Sequence, residues 1–376
     1  MNIMKGSNEQ SSTPPSTPRI AIVGLGNCAS TLVQGITFYR RTQETIGLMH
    51  PLIAGLAVGD IQIACAFDVD QRKIGRPVAE AIFARPNNSR IFEPHPEDHG
   101  ALVYPGILAD GVADHLRDTQ NSQHVAVDSA ASHTPLDQVI QILKSTGATV
   151  LVNYLPVGAQ QATELYAQAC LTAGIGMINC IPVFIASNPA WADKFADAGL
   201  PLIGDDVKSQ FGATIVHRQL MSIAQQRGMQ VDTSYQLNVG GNNDFQNMLE
   251  RGRLVSKKTS KTEAVTSMVK GGIPPDAIHI GPSDYVPFLH DNKICYIRIN
   301  ARGFGGLPVE LDLKLSVEDS PNSAGIVVDA VRCAHLAARR RQGGVLTAIS
   351  AALMKHPPRQ MPDLEAAAAM EAWLNP

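Results

Sequence analysis

The run Arg19-Ile20-Ala21-Ile22-Val23-Gly24-Leu25-Gly26-Asn27 constrains this chain more than any other stretch. Five residues of apolar, β-rich character end in glycine, the form of a buried parallel strand, and Cys28 to Tyr39 then reads as a helix. Gly24-x-Gly26-x-x-Ala29 between them has the dinucleotide spacing. The first glycine permits a tight turn, the second lets backbone approach a pyrophosphate, and Ala29 allows close helix–strand packing. The helix N-terminus adds free N–H groups and positive dipole. A second buried strand, Ile61 to Phe67, ends at Asp68, where a carboxylate can hold adenosine ribose hydroxyls and repel a 2′-phosphate. That favours NAD over NADP. Asp68 lies 44 residues beyond Gly24 rather than the usual 20 or so, which makes 43–60 a loop or insertion. The plain alternative for Asp68 is a strand-end residue capping a loop.

The same plan repeats downstream. His124 to Val127 ends at Asp128-Ser129, and Thr149 to Val152 ends at Asn153. A helix from about Ala159 to Ala173 leads to Gly176–Cys180, and Pro201-Leu202-Ile203 runs into Gly204-Asp205-Asp206. Strands alternating with helices imply a doubly wound parallel sheet with its ligand along the carboxyl edge. Asp205-Asp206 offers a base, a metal ligand or a cap for a helix starting near Lys208. From about residue 210 the texture changes: Val231–Val239, Cys295–Ala301 and Val309–Val317 are longer, partly alternating strands, as in an open antiparallel sheet. Ser320-Pro321 then reads as N-cap and N1 of a helix apolar on one face, which returns to the first domain. Residues 1–18 read as a disordered polar tail.

A net charge of −3 without a basic run gives no electrostatic case for nucleic acid or an anionic membrane. The most apolar stretch, Leu52–Phe67, is broken by Asp60 and Gln62 and is too short to span a bilayer. No signal peptide is visible, and six scattered cysteines without a CxxC pair read as reduced thiols. The expectation is a cytoplasmic protein. His95 and His99 have ligand spacing but sit in a proline-rich stretch that reads as an exposed loop.

Lysines carry the second signal. Only twelve are present against nineteen arginines, yet Lys257, Lys258 and Lys261 fall within five positions. Lys257 and Lys261 share a helix face, so two ammonium groups converging on a pocket would bind phosphate or stabilise an oxyanion, with one pKa depressed by their repulsion. A solvated helix face is the bland alternative. Upstream, Asn238-Val239-Gly240-Gly241-Asn242-Asn243-Asp244 suits a hydroxyl-rich ligand, or equally a simple turn.

Taken in order, IVGLGNCAS (22–30), FDVD (67–70), NYLPVG (153–158), PVFIAS (182–187), GDDVKSQ (204–210), NVGGNNDF (238–245), SKKTSK (256–261), HIGPSDYV (279–286), EDSPNSAG (318–325) and LMKHPP (353–358) resemble the myo-inositol-1-phosphate (inositol-3-phosphate) synthase family, in its short actinobacterial and archaeal form. The resemblance implies an α/β fold in which a Rossmann-type doubly wound parallel sheet, residues 19–209 plus 320–376, is interrupted by an α+β catalytic and tetramerisation domain, residues 210–319, with an open, mainly antiparallel sheet. It implies an isomerase that turns D-glucose 6-phosphate into 1D-myo-inositol 3-phosphate, a step of inositol and phospholipid biosynthesis, with NAD recycled. The sequence of steps is oxidation at C5, enolisation at C6, attack on the C1 aldehyde and reduction at C5. It places catalytic roles on Lys257, Lys261, Lys293, Lys355 and Asp206: Lys257 and Lys293 for oxyanions and protons, Lys261 and Lys355 for phosphate or the C1 oxygen. Asn242, Asn243, Asp319 and Ser320 are expected at the substrate. Gly24, Gly26, Asn27, Cys28, Asp68, Ser129, Tyr166, Ser209, Asp244 and Lys257 are expected at NAD. A homotetramer is implied, without nucleic-acid or membrane partners. The turn here is Gly-Leu-Gly-Asn-Cys, where longer eukaryotic members are richer in glycine and asparagine, so the pyrophosphate contacts and a cation beside them stay open. The competing readings are an ordinary sugar-phosphate dehydrogenase that releases NADH and a dinucleotide-sensing regulator without catalysis.

Overall fold

A computed structural model of the chain describes residues 16–117, 121–268 and 273–376, except for the side chains of 251, 254–258, 282 and 283. Residues 1–15 of the expected tail lie outside the described residues. The apolar run at the start is strand β1 (Arg19–Val23), followed by helix α1 (Asn27–Thr42). The 43–60 insertion is a small hairpin, β2 (Leu52–Ile53) and β3 (Leu56–Ala57), and its length explains the late arrival of β4 (Gln62–Asp68). Next come α2 (Val78–Ala81), β5 (Val103–Pro105), α3 (Leu136–Ser145), β6 (Val150–Asn153), α4 (Gln160–Ala173), β7 (Gly176–Asn179), α5 (Pro189–Asp197) and β8 (Pro201–Ile203). The chain then builds α6 (Ala213–Gln226), β9 (Gln230–Gly240), α7 (Asn243–Asn247), α8 (Val255–Thr266), β10 (Ile278–Tyr285), β11 (Asn292–Arg302) and β12 (Pro308–Glu318). It ends with α9 (Asp319–Arg339), β13 (Gly344–Val345), α10 (Thr347–Leu353) and α11 (Asp363–Leu374).

Two sheets organise these elements. The first runs β13-β8-β7-β6-β1-β4-β5, every pair parallel. Strand order reverses at β1, between β4 and β6, the switch point where open α/β sheets bind ligands. Alternation along β1 divides the core: Ile20 and Ile22 pack under α1 and α9, whereas Ala21 and Val23 face Leu143, Tyr166 and Ala167 of α3 and α4. The second sheet runs β10-β9-β11-β12. Its β9–β11 and β11–β12 pairs are antiparallel and its β10–β9 pair parallel, so it is mainly antiparallel. Met221 of α6 and Val265 of α8 pack on Val231, Ile280, Ile297 and Ile299 of that sheet. The chain then returns, because α9 packs on α1 and across β6, β7 and β8, and β13 extends the first sheet beside β8.

Three local expectations need correction. His124–Val127 is not a strand; a single bridge pairs Val127 with Asp70, and the edge of β4 is taken by β5. The C-terminal helix begins at Asp319 with Glu318 at N-cap, because the Ser320 hydroxyl donates to Asp291 instead of capping. No helix starts near Lys208; α6 begins at Ala213. Five of the six cysteines are buried, and all six are free thiols. Among the described residues no helix is long and apolar enough to cross a membrane.

Candidate active site

The glycine turn sits at the switch point. Gly24 has φ +82°, and a Cβ there would lie 2.7 Å from the Tyr154 carbonyl oxygen, so only glycine lets β1 pass so near β6. At Gly26, the N-cap of α1, a Cβ would meet nothing within 4 Å and would project into a large cavity along the carboxyl ends of the strands. The first turn of α1 contains no acidic residue and its N-cap supplies no side-chain acceptor, which leaves N–H groups for an anion. These features fit a dinucleotide pyrophosphate. Asp68 lines the same cavity and also does structural duty: its carboxylate accepts the Leu25 N–H at 2.8 Å and the Val69 and Asp70 N–H groups at 2.7 and 2.9 Å. Asp68 is thus a loop cap that also faces the cavity.

Of the remaining expected cofactor residues, Asn27, Cys28, Tyr166, Ser209 and Asp244 line the cavity. Asn27 is committed to protein contacts, donating to Asn88 at 2.6 Å and Asp291 at 3.1 Å and accepting the Asn88 N–H at 2.8 Å. Desolvation pushes the Cys28 thiol, half-buried in the cavity wall, up to about 12. The Tyr166 hydroxyl accepts the Ile107 N–H at 2.9 Å and so fixes the loop after β5. Ser129 is exposed and does not line the cavity, because the 124–127 run that was to carry it into the sheet pairs with the loop after β4.

Cations and carboxylates gather in the same cavity. Lys261 is buried on α8, and with Lys293 and Lys355 it lines the cavity. The Lys257 side chain lies outside the described residues. Lys293 of β11 donates to Asp319 at 2.7 Å. Burial works against its ammonium, but the Asp319 carboxylate outweighs it and holds the pKa above the usual lysine value. Lys293 is therefore a fixed positive charge. Lys355 donates to Asp206 at 2.8 Å, and the Ser260 hydroxyl donates to the other oxygen of that carboxylate at 2.7 Å. Asp206 is held in the left-handed region at φ +62°. Its conformation is supported by backbone pairing of 205–206 with 355–356, and by Asp205 next door. Asp205 is fully buried and accepts the N–H groups of Ile185, Ala186 and Ser187, the Ser187 hydroxyl and the Asn179 amide.

Asn242 caps α7 and also bridges carboxylates, its amide 3.2 Å from Asp291 and 3.4 Å from Asp319. Asn243 faces the cavity and reaches the Gln123 carbonyl at 3.4 Å. Asp291 was missed from sequence. Its carboxylate joins Asn27, Asn242 and Ser320, whose hydroxyl and N–H approach at 2.8 and 3.1 Å. Burial first, then the Asp319 charge, pushes it up to about 7. Lys73 and Asn87 were missed too; both donate to the Leu25 carbonyl and brace the glycine turn.

Fold and site together define a Rossmann-type protein whose switch-point cavity is lined by a glycine turn and by Lys293 and Lys355, each paired with a carboxylate. A family model described as Myo-inositol-1-phosphate synthase matches residues 212–320. The inositol-3-phosphate synthase of Mycolicibacterium smegmatis is 48% identical over 365 residues, 95% of this chain and 98% of its own. That of Corynebacterium glutamicum is 48% identical over 367 residues, covering 96% and 98%. The crystal structure of a myo-inositol-1-phosphate synthase-related protein from Thermotoga maritima superposes with a TM-score of 0.75 at 26% identity, covering 95% of this chain and 98% of that one. The chain belongs to the inositol-3-phosphate synthase family.

Proposed function

We propose that this chain converts D-glucose 6-phosphate to 1D-myo-inositol 3-phosphate, an intramolecular lyase reaction counted among the isomerases. The observation that carries this reading is one cavity lined both by Gly24, Gly26 and Asp68 and by Lys261, Lys293 and Lys355. NAD, held by the glycine turn, the N-terminus of α1 and Asp68, supplies reversible hydride acceptance at C5. The chain's own residues do the rest. Lys293, kept charged by Asp319, stabilises negative oxygen as the C5 ketone acidifies C6 and the enol forms. Lys355 and Lys261 neutralise the phosphate and the C1 oxygen during ring closure, and Asp206 holds Lys355 in place. Lys257 is proposed, in its neutral form, to take the proton that leaves C6 and, once protonated, to share the oxyanion work of Lys293. Asn242, Asn243 and Ser320 orient the sugar and the carboxylates around it, with Ser209 and Asp244 beside the cofactor.

Within this proposal a cation beside the pyrophosphate would be held by Asp319 and Ser320, which line the cavity next to Asp291, whose carboxyl is raised first by burial and then by the Asp319 charge. Among the described residues no group of three or more His, Cys, Asp or Glu could hold a metal alone, so the pyrophosphate would have to complete the ligand set. We assign the nucleotide-binding domain to 19–209 plus 320–376 and the catalytic domain to 210–319, and place the enzyme in the cytoplasm, at the head of inositol and phospholipid synthesis. A homotetramer is proposed through the second sheet, where Tyr235 (38%) of β9, Tyr296 (43%) of β11, and Leu307 (68%) and Val309 (44%) at the edge strand β12 are exposed.

Turnover of cofactor tests the reading against a dehydrogenase and a sensor. Glucose 6-phosphate with substoichiometric NAD should yield many equivalents of inositol 3-phosphate and no accumulating NADH. Stoichiometric NADH without inositol phosphate defeats the synthase reading, and NAD binding with no product favours the sensor.

A further inference from the structure

The two lysine-bearing elements, α8 and the segment around Lys355, come from distant parts of the chain and must face each other at a set spacing. Between them lies Arg218 of α6, whose side chain has no exposed surface. Its Nε donates to the Asp363 carboxylate oxygens at 3.1 and 2.9 Å. One terminal nitrogen donates to the Ala264 carbonyl in the last turn of α8 and lies 3.3 Å from Gln360 Oε1. The other donates to the Met361 carbonyl at 2.7 Å. Gln360 in turn donates to the Lys355 carbonyl at 2.7 Å. A single guanidinium thus grips the helix that carries Lys261 and, through one amide, the backbone that carries Lys355. Beside it, His356 stacks on Phe184 with ring centroids 4.1 Å apart.

Neither Arg218, Gln360 nor Asp363 lines the cavity. A buried guanidinium is costly against an apolar side chain of similar volume, and its rigid fork offers directional contacts that such a side chain lacks. Anchored on Asp363 and Met361 at the start of α11, the guanidinium reaches α8 at Ala264 and the Lys355 segment through Gln360, the two elements whose spacing matters for a substrate held by both lysines. We infer that Arg218 is a positioning residue that sets the separation of Lys261 from Lys355 through Ala264 and Gln360, without touching substrate or cofactor. This rests on the synthase reading of the cavity.

The test uses the full chain with Arg218→Lys, Arg218→Met and Gln360→Ala, the last guarding against a variant of Arg218 that does not fold. We measure kcat and KM for glucose 6-phosphate, the Kd for NAD, Tm, and deuterium uptake of peptides spanning 255–266 and 351–361. Displacement of catalytic groups by about an ångström costs up to about a hundredfold in rate, so folded Arg218→Met and Gln360→Ala should lose at least about tenfold in kcat/KM. Their NAD Kd should stay near the wild-type value, both peptides should exchange faster, and Arg218→Lys should recover part of the loss. Wild-type kcat/KM and unchanged exchange in folded Gln360→Ala and Arg218→Met overturn the inference, as does a fall in Tm alone. If the wild type makes no inositol 3-phosphate, the synthase reading falls, and the exchange of the two peptides still decides whether Arg218 joins them.

Discussion

The Lys355 ammonium lies 2.8 Å from the Asp206 carboxylate, and that carboxylate sits on a residue with φ +62° whose neighbour Asp205 is locked by five hydrogen bonds. The strain of the left-handed conformation is borne by the surrounding network, and the result is a lysine that cannot swing away from the cavity. Asp206→Asn keeps the shape and removes the charge. We expect kcat to fall by about a hundredfold while the Kd for NAD changes little, because the groups proposed to hold NAD, the glycine turn and Asp68, are separate from the Asp206–Lys355 pair. Steady-state kinetics with a separate NAD titration decides this, and near-normal kcat would detach Asp206 from the chemistry.

Lys293 makes a sharper case. Its pairing with Asp319 raises the ammonium pKa and keeps it charged, which suits the proposed role of electrostatic stabiliser. Lys293→Ala should abolish inositol 3-phosphate formation while NAD still binds. Loss of a single preorganised donor to an oxyanion costs about a hundred- to a thousandfold in other enzymes. Product formation within a few-fold of wild type would remove Lys293 from the site.

The two glycines of the turn should fail in different ways. Gly24→Ala places a methyl against the Tyr154 carbonyl at φ +82°, and should lower unfolding free energy by about 2 kcal/mol or more. Gly26→Val finds open space in the fold but fills the cradle of the cavity, so it should leave Tm nearly unchanged and weaken NAD binding severely. Urea unfolding and NAD titration on both variants separate the two. A Gly26→Val protein that binds NAD normally would mean the pyrophosphate lies elsewhere.

What was legible in the sequence and what was not follows from how local each signal is. β1, the turn and β4 are continuous apolar runs punctuated by Gly or Asp, so a window of ten residues carries them. The strand β10 was hidden because Gly281 and Pro282 interrupt it, and its register shifts between Pro282 and Asp284. The apolar run at 124–127 has strand character, yet it meets only the loop after β4. Asp291 was invisible for another reason: its partners Asn27, Asn242 and Ser320 stand 264, 49 and 29 residues away, and nothing in the residues around it announces the meeting. Arg218 is hidden in the same way, one arginine of a helix whose partners Ala264 and Asp363 lie in later elements.

The buried His217 gives the acid limb of stability. Its ring, fully enclosed in α6, faces Ser234 at 2.8 Å and Gln236 at 3.3 Å on β9, and burial lowers its pKa to about 4 despite the Gln236 contact. In the unfolded chain the ring protonates near 6.5, so between 6.5 and 4 the unfolded state binds the proton more readily than the folded one. The stability contributed by the neutral ring is whole above 6.5 and is lost as pH falls towards 4, a total of about 3 kcal/mol. Substituting His217→Gln removes the titrating group, so the variant should lose less stability than the wild type over this window, whatever its stability at pH 7. Urea unfolding in buffers stepped from pH 7 to pH 4 measures both slopes. Parallel curves for wild type and variant would show that His217 is protonated inside the fold at little cost, and that acid destabilisation comes from carboxylates such as Asp363, which Lys208 and Arg218 hold below the usual range against the effect of burial.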